Sequence, residues 1–203
     1  MKKILLICMF LSFCKAICQE RFELTKMGFS MNSPEGWYEM KNEEILKNLE
    51  EYDLTDEQLQ ELLKTNSKQL VTYTKYNPKK VAGIIPTIKV RTMVTQSKTI
   101  ESFKKETELS TKDAMKVLDN FRFIEKPIAV KVSGKDALKF AVQFTMKNNG
   151  NEYEIVSNSY YILLNGYYVS LNFIEQVGKE DNSKLKKYLE EAINKINHLE
   201  NQV

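Results

Sequence analysis

Hydrophobic and polar positions alternate most regularly in the second half of the chain. Leu138, Phe140, Val142, Phe144 and Met146 fall at every second position, with mostly smaller or polar residues between them. Successive side chains of a strand point to opposite faces, so this period of two predicts a half-buried antiparallel strand. Asn148-Asn149-Gly150-Asn151 turns the chain into a second extended run, Tyr153 to Leu164. Asn165-Gly166 is a two-residue hairpin signal, expected as type I′, and leads into Tyr167 to Glu175. There Tyr167, Val169, Leu171 and Phe173 share one face, while Tyr168, Ser170, Asn172 and Ile174 share the other. One side packs and the other is mixed. Three runs joined by short turns predict a meander, entered from Ala129 to Val132 through Ser133-Gly134-Lys135-Asp136.

The pattern upstream changes several times. Phe22-Glu23-Leu24, Phe29-Ser30-Met31 and Trp37-Tyr38-Glu39-Met40 read as short extended pieces, the last two punctuated by Pro34 and Gly36. Trp37 is expected to plug the core beside this turn rather than to bind a ligand. Helices are expected over Asn42 to Tyr52 and Asp56 to Lys64. The second has Thr55 facing Gln58 as a capping box, Leu54 and Leu59 as a staple, and a Leu59, Leu62, Leu63 stripe. The acids around it lack the offsets and the central glycine of a calcium loop and read as a solvated helix face. Leu70 to Tyr76 and Thr87 to Thr95 read as strands. Two helices are then expected, Thr99 to Glu108 with Ile100 and Phe103 inward, and Thr111 to Asn120 capped by Ser110. Near the end, Leu185, Leu189, Ala192, Ile193, Ile196 and Leu199 recur at intervals of three and four, predicting a long amphipathic helix that covers the meander.

The first eighteen residues follow a different rule. Met1-Lys2-Lys3 is basic, Ile4 to Phe13 is apolar, and Ala16-Ile17-Cys18 resembles a small-x-small cleavage signal before Gln19. The apolar run is too short for a span that needs roughly 20 residues, so residues 1–18 read as a signal peptide and 19–203 as one exported domain with no stable membrane span. A lipid anchor at Cys18 is the competing reading; Ile17, where a small residue is expected, argues against it. All three cysteines, Cys8, Cys14 and Cys18, lie in the leader, so the mature domain must hold together by its core. Lys2, Lys3 and Lys15 account for the whole formal charge of +3. The mature chain is balanced, and the electrostatic argument for nucleic acid disappears.

Catalytic chemistry finds little support. The single histidine, His198, lies near the C-terminal end of the chain, where a surface role is expected. Zinc sites built on histidine and Cys-His or Ser-His-Asp catalysis therefore have no basis. No phosphate-binding glycine loop and no nucleophile elbow is present. A carboxylate pair remains open among 27 acids, but none is singled out. No catalytic, cofactor-binding or metal-binding residue is nominated. Tyrosines concentrate around the last hairpin, and Tyr160, Tyr161, Tyr167 and Tyr168 are the candidate partner-binding residues, since tyrosine is rigid and amphipathic. Cross-strand packing is the competing explanation.

Ser30 to Trp37 (Ser-Met-Asn-Ser-Pro-Glu-Gly-Trp), the intervening helices, a meander with Val132 to Ala137 (Val-Ser-Gly-Lys-Asp-Ala) in its first turn, and a closing helix resemble the Mog1/PsbP-like fold, in particular its bacterial exported DcrB-like and PsbP-related branch. The resemblance runs from about Phe22 to Leu199, mostly through element order. It implies an α+β fold: an α/β/α sandwich whose mainly antiparallel sheet is covered by helices, including a long C-terminal helix. It also implies a largely non-enzymatic family of accessory or binding proteins. Two functions are therefore expected. One is an exported accessory protein that binds an envelope protein or component through a sheet face. The other is a carrier of a small apolar ligand in a pocket between sheet and helices. A histidine-independent hydrolase is the third and weakest reading.

Overall fold

In the computed structural model, residues 21–24, 27–43, 67–81, 83–148 and 150–178 are described. In chain order they form β1 (Arg21–Leu24), β2 (Phe29–Asn32), β3 (Tyr38–Lys41), β4 (Lys68–Thr74) and β5 (Thr87–Val94). Helix α1 (Ile100–Val117) follows, then β6 (Asp119–Val132), β7 (Lys135–Asn148), β8 (Asn151–Leu163) and β9 (Tyr167–Gln176). Strands β3 to β9 make a seven-stranded sheet in the order β3-β4-β5-β9-β8-β7-β6, with every pair antiparallel. β1 and β2 pair with each other in a separate two-stranded sheet.

This strand order explains the position of the helix. β5 lies inside the sheet and β6 at its far edge, about 19 Å away at four strand spacings. The connection between them is α1, about 27 Å long at 18 residues. The helix therefore crosses one face of the sheet, and the β6-β7-β8-β9 meander brings the chain back to pair with β5. Thr99 starts the helix: its hydroxyl accepts from the Ser102 amide while the Ser102 hydroxyl accepts from the Thr99 amide.

The two faces of the sheet differ in chemistry. On the first, Tyr73, Ile88, Val90, Ile162, Val169, Leu171 and Phe173 pack with Phe22, Leu24, Phe29 and Met31 from the β1-β2 hairpin in a single buried cluster. Trp37 packs against it, 6.4 Å from the Phe173 ring, in the core role expected of it. The second face is mixed. It carries Lys89 and Arg91 on β5, Ser170 and Asn172 on β9, Ser157 and Ser159 on β8, and an apolar half under α1.

Several sequence expectations are corrected. An α/β/α sandwich is not what the described residues build: a β-hairpin covers one face and a single helix the other. The expected long C-terminal helix, with His198, and the helices expected over 42–52 and 56–64 lie wholly or largely outside the described residues. The two helices expected at 99–108 and 111–120 are one. Ser110 does not cap a second helix, because Thr107 and Thr111 donate to the carbonyls of Phe103 and Thr107 and sit in the helix interior. The chain beyond Leu118 is strand rather than helix, so Phe121 and Phe123 belong to β6, ten residues longer than the Ala129 to Val132 segment expected. The meander itself is present, with β7-β8 and β8-β9 paired antiparallel. Its turn chemistry differs. Asn165 has no positive φ and only Gly166 does (80°), so this turn is not type I′. The turn with positive φ at both central residues is Ser133 (47°) and Gly134 (79°), joining β6 to β7.

Candidate functional site

The four candidate tyrosines are separated by the pleat. Tyr160 pairs with Leu171 and is buried at 7% exposure on the first face, and Tyr167 packs against the same apolar cluster. The Tyr167 hydroxyl donates to the Met27 carbonyl at 3.3 Å, tying the last hairpin to the β1-β2 hairpin. Tyr161 and Tyr168 stand on the opposite face, under α1. None of the four falls in the exposed class.

Tyr161 and Tyr168 belong to an aromatic row that runs across the meander. Their rings stack at 5.2 Å and 19°. Phe140 meets Tyr161 edge-on at 4.9 Å, and Phe123 meets Phe140 at 6.4 Å. From above, Phe103 of α1 sits 5.0 Å from Tyr168 and 6.4 Å from Tyr161. Edge-on and offset contacts of this kind add stability beyond area burial, by about 0.5–1.5 kcal/mol a pair. Phe103 was expected to point inward. Its meeting with Tyr161 and Tyr168 depends on the sheet register and on the α1 crossover, which local periodicity does not encode.

Beside this row lies a cavity of about 320 Å³ between α1 and the sheet, with Phe103, Ala114, Phe140, Val142, Tyr161 and Tyr168 among its walls. Glu106 enters it from the helix, with one carboxylate oxygen accepting from the hydroxyls of Thr95 and Ser97 at 2.6 Å each. A second, more polar cavity of about 320 Å³ continues along the same face past Lys89, Arg91 and Ser170. Ser157, Tyr161, Tyr168 and Asn172 line both. Between them, the Ser159 hydroxyl donates to Asn172 Oδ1 at 2.8 Å, and Asn172 Nδ2 donates to the Ser170 hydroxyl oxygen at 3.3 Å.

Burial sets the electrostatics. It pushes the Tyr161 hydroxyl above the usual phenol range, against a smaller opposing pull from Arg91. Tyr168 is raised as well, first by burial and then by the nearby Tyr161 and Glu106. Both are neutral phenols at physiological pH, able to donate a hydrogen bond without carrying charge. Burial also lowers Lys89, and Arg91 beside it adds to the shift. Among the described residues, no three His, Cys, Asp or Glu side chains are placed to hold a metal ion. No helix among them is long and apolar enough to cross a membrane.

No family model matches this sequence, and no curated protein does. The solution structure of cyanobacterial PsbP (CyanoP) from Synechocystis sp. PCC 6803 is similar with a TM-score of 0.54 at 10% identity, covering 88% of this chain and 91% of that one. LpqN of Mycobacterium tuberculosis, described as involved in cell envelope biogenesis, gives a TM-score of 0.44 at 11% identity over 90% and 87% of the two chains. The likeness to the cyanobacterial structure is one of fold alone, a PsbP-like fold, and an identity of 10% distinguishes no branch.

Proposed function

We propose that this chain is an exported, non-enzymatic binding protein of the cell envelope, of the DcrB-like and PsbP-related branch, that holds a small, largely apolar ligand between α1 and the sheet. In this reading residues 1–18 are the export signal and 19–203 a single binding domain. The observation that carries it is the placement of Tyr161 and Tyr168. Of the four tyrosines chosen from the sequence, these two line a cavity of about 320 Å³ instead of forming an exposed patch. That volume lies within the range of small-molecule sites, which combine apolar walls with a few placed polar groups. Here the polar groups are the two neutral phenols and the Ser159-Asn172-Ser170 relay. A protein partner docking through the tyrosines needs them at the surface, and half of the set packs into the opposite face.

Ala114 offers the test, because it lines the cavity from the helix and carries the smallest side chain able to grow into it. The neutral fluorophore N-phenylnaphthylamine should bind the wild type with enhanced emission, and Ala114→Phe should abolish the enhancement while the melting transition stays cooperative. Equal enhancement by a folded Ala114→Phe variant would place apolar binding elsewhere and reject this reading.

A further inference from the structure

The apolar cavity under α1 adjoins a cationic one farther along the same face, and among the described residues no acid lines the cationic end. Arg91 and Lys89 stand two residues apart on the same side of β5, so their charges face one cavity. Among the described residues, Arg91 Nε is buried without a hydrogen-bond partner and no acid lines that cavity. Leaving a guanidinium N–H buried and unsatisfied is costly, and two neighbouring cations repel each other. The Ser170 hydroxyl oxygen already accepts from Asn172, which leaves its hydrogen to donate. An oxyanion placed there would satisfy Arg91 and Ser170 and offset the burial and the Arg91 repulsion that together depress Lys89.

The opposite end has the opposite sign. Glu106 lines the apolar cavity and is held by Thr95 and Ser97. Tyr168 lies within the field of both Glu106 and Arg91. A ligand spanning the two compartments is therefore oriented: a negative group is repelled from the Glu106 end and attracted to the Arg91 end. The intervening surface, formed by the Tyr161-Tyr168 stack, Phe103 and Phe140, suits a hydrocarbon chain.

We propose, resting on the cavity reading above, that the ligand is an amphipathic anion: an alkyl chain ending in an oxyanion, with the charged head at Arg91 and Lys89 and the chain beneath α1. A carboxylate and a phosphate share this chemistry, and both can accept from the guanidinium in a fork geometry.

Isothermal titration of the mature protein with decanoate, decyl phosphate and decanol separates the claims. At least one anion should bind about tenfold or more tightly than decanol, the margin expected of a hydrogen bond to a charged group; the tighter of the two identifies the head. Arg91→Gln should erase that preference, and Arg91→Lys should retain part of it. Decanol binding as tightly as both anions, or a preference that survives in Arg91→Gln, would overturn the anionic head and leave the apolar cavity standing. Failure of all three to bind would overturn both.

Discussion

Tyr161 and Tyr168 have opposite obligations in the folded and unfolded chain. Folded, their phenols are held neutral by burial; unfolded, they ionise near the ordinary value of 10.0. A group whose folded value is raised contributes stability that is fully present below the unfolded value and is lost as pH rises from there toward the folded one. Urea midpoints should therefore fall above about pH 10, and the double variant Tyr161→Phe, Tyr168→Phe should fall less steeply over that window. Identical slopes would mean that these hydroxyls titrate as if exposed. At another single position, Gly134 holds φ 79° in the β6-β7 turn with open space around its Cβ position. Gly134→Ala should destabilise by about 1 kcal/mol through backbone strain alone, since nothing obstructs the methyl group. An unchanged denaturation midpoint would show that the turn relaxes.

Among the elements, those made by local alternation were legible and those made by crossover were not. β7, β8 and β9 carry period-two patterns between short turns, and the pairing follows from the pattern and the loop lengths alone. β6 is legible over only its last four residues because its register against β7 shifts three times, breaking the period. Pro127 is tolerated within it because β6 is an edge strand. The break read at Ser110-Thr111 comes from residue types that cap helices; here the Thr107 and Thr111 hydroxyls find partners one turn back within α1. The site was half legible for the same reason. The tyrosines were conspicuous and alternation sorted them into two faces, whereas Lys89, Arg91, Phe103 and Glu106 join them only through the β5-β9 pairing and the path of α1. The start of α1 gives a direct check: Thr99→Ala should cost about 1 kcal/mol by removing the capping box. Phe103→Ala should cost about 3–5 kcal/mol, because the ring is 1% exposed and its loss leaves a void beside Tyr168.

At the scale of the whole molecule, one face of the sheet is a closed apolar core and the other joins cavity, aromatic row and cations. A chain that needed only stability would gain nothing from an Arg91 Nε left buried and unsatisfied. The asymmetry is the molecular basis for assigning storage of the fold to the β1-β2 face and binding to the α1 face. The assignment is tested most directly by a two-dimensional amide NMR titration of residues 19–203 with decanol, which reads every strand at once. The account predicts saturable shifts at Phe103, Ala114, Tyr161 and Tyr168, around the cavity, with Phe22, Phe29 and Met31 of the β1-β2 hairpin unmoved. Saturable shifts confined to the β1-β2 face, or none under α1 at saturating decanol, would contradict it.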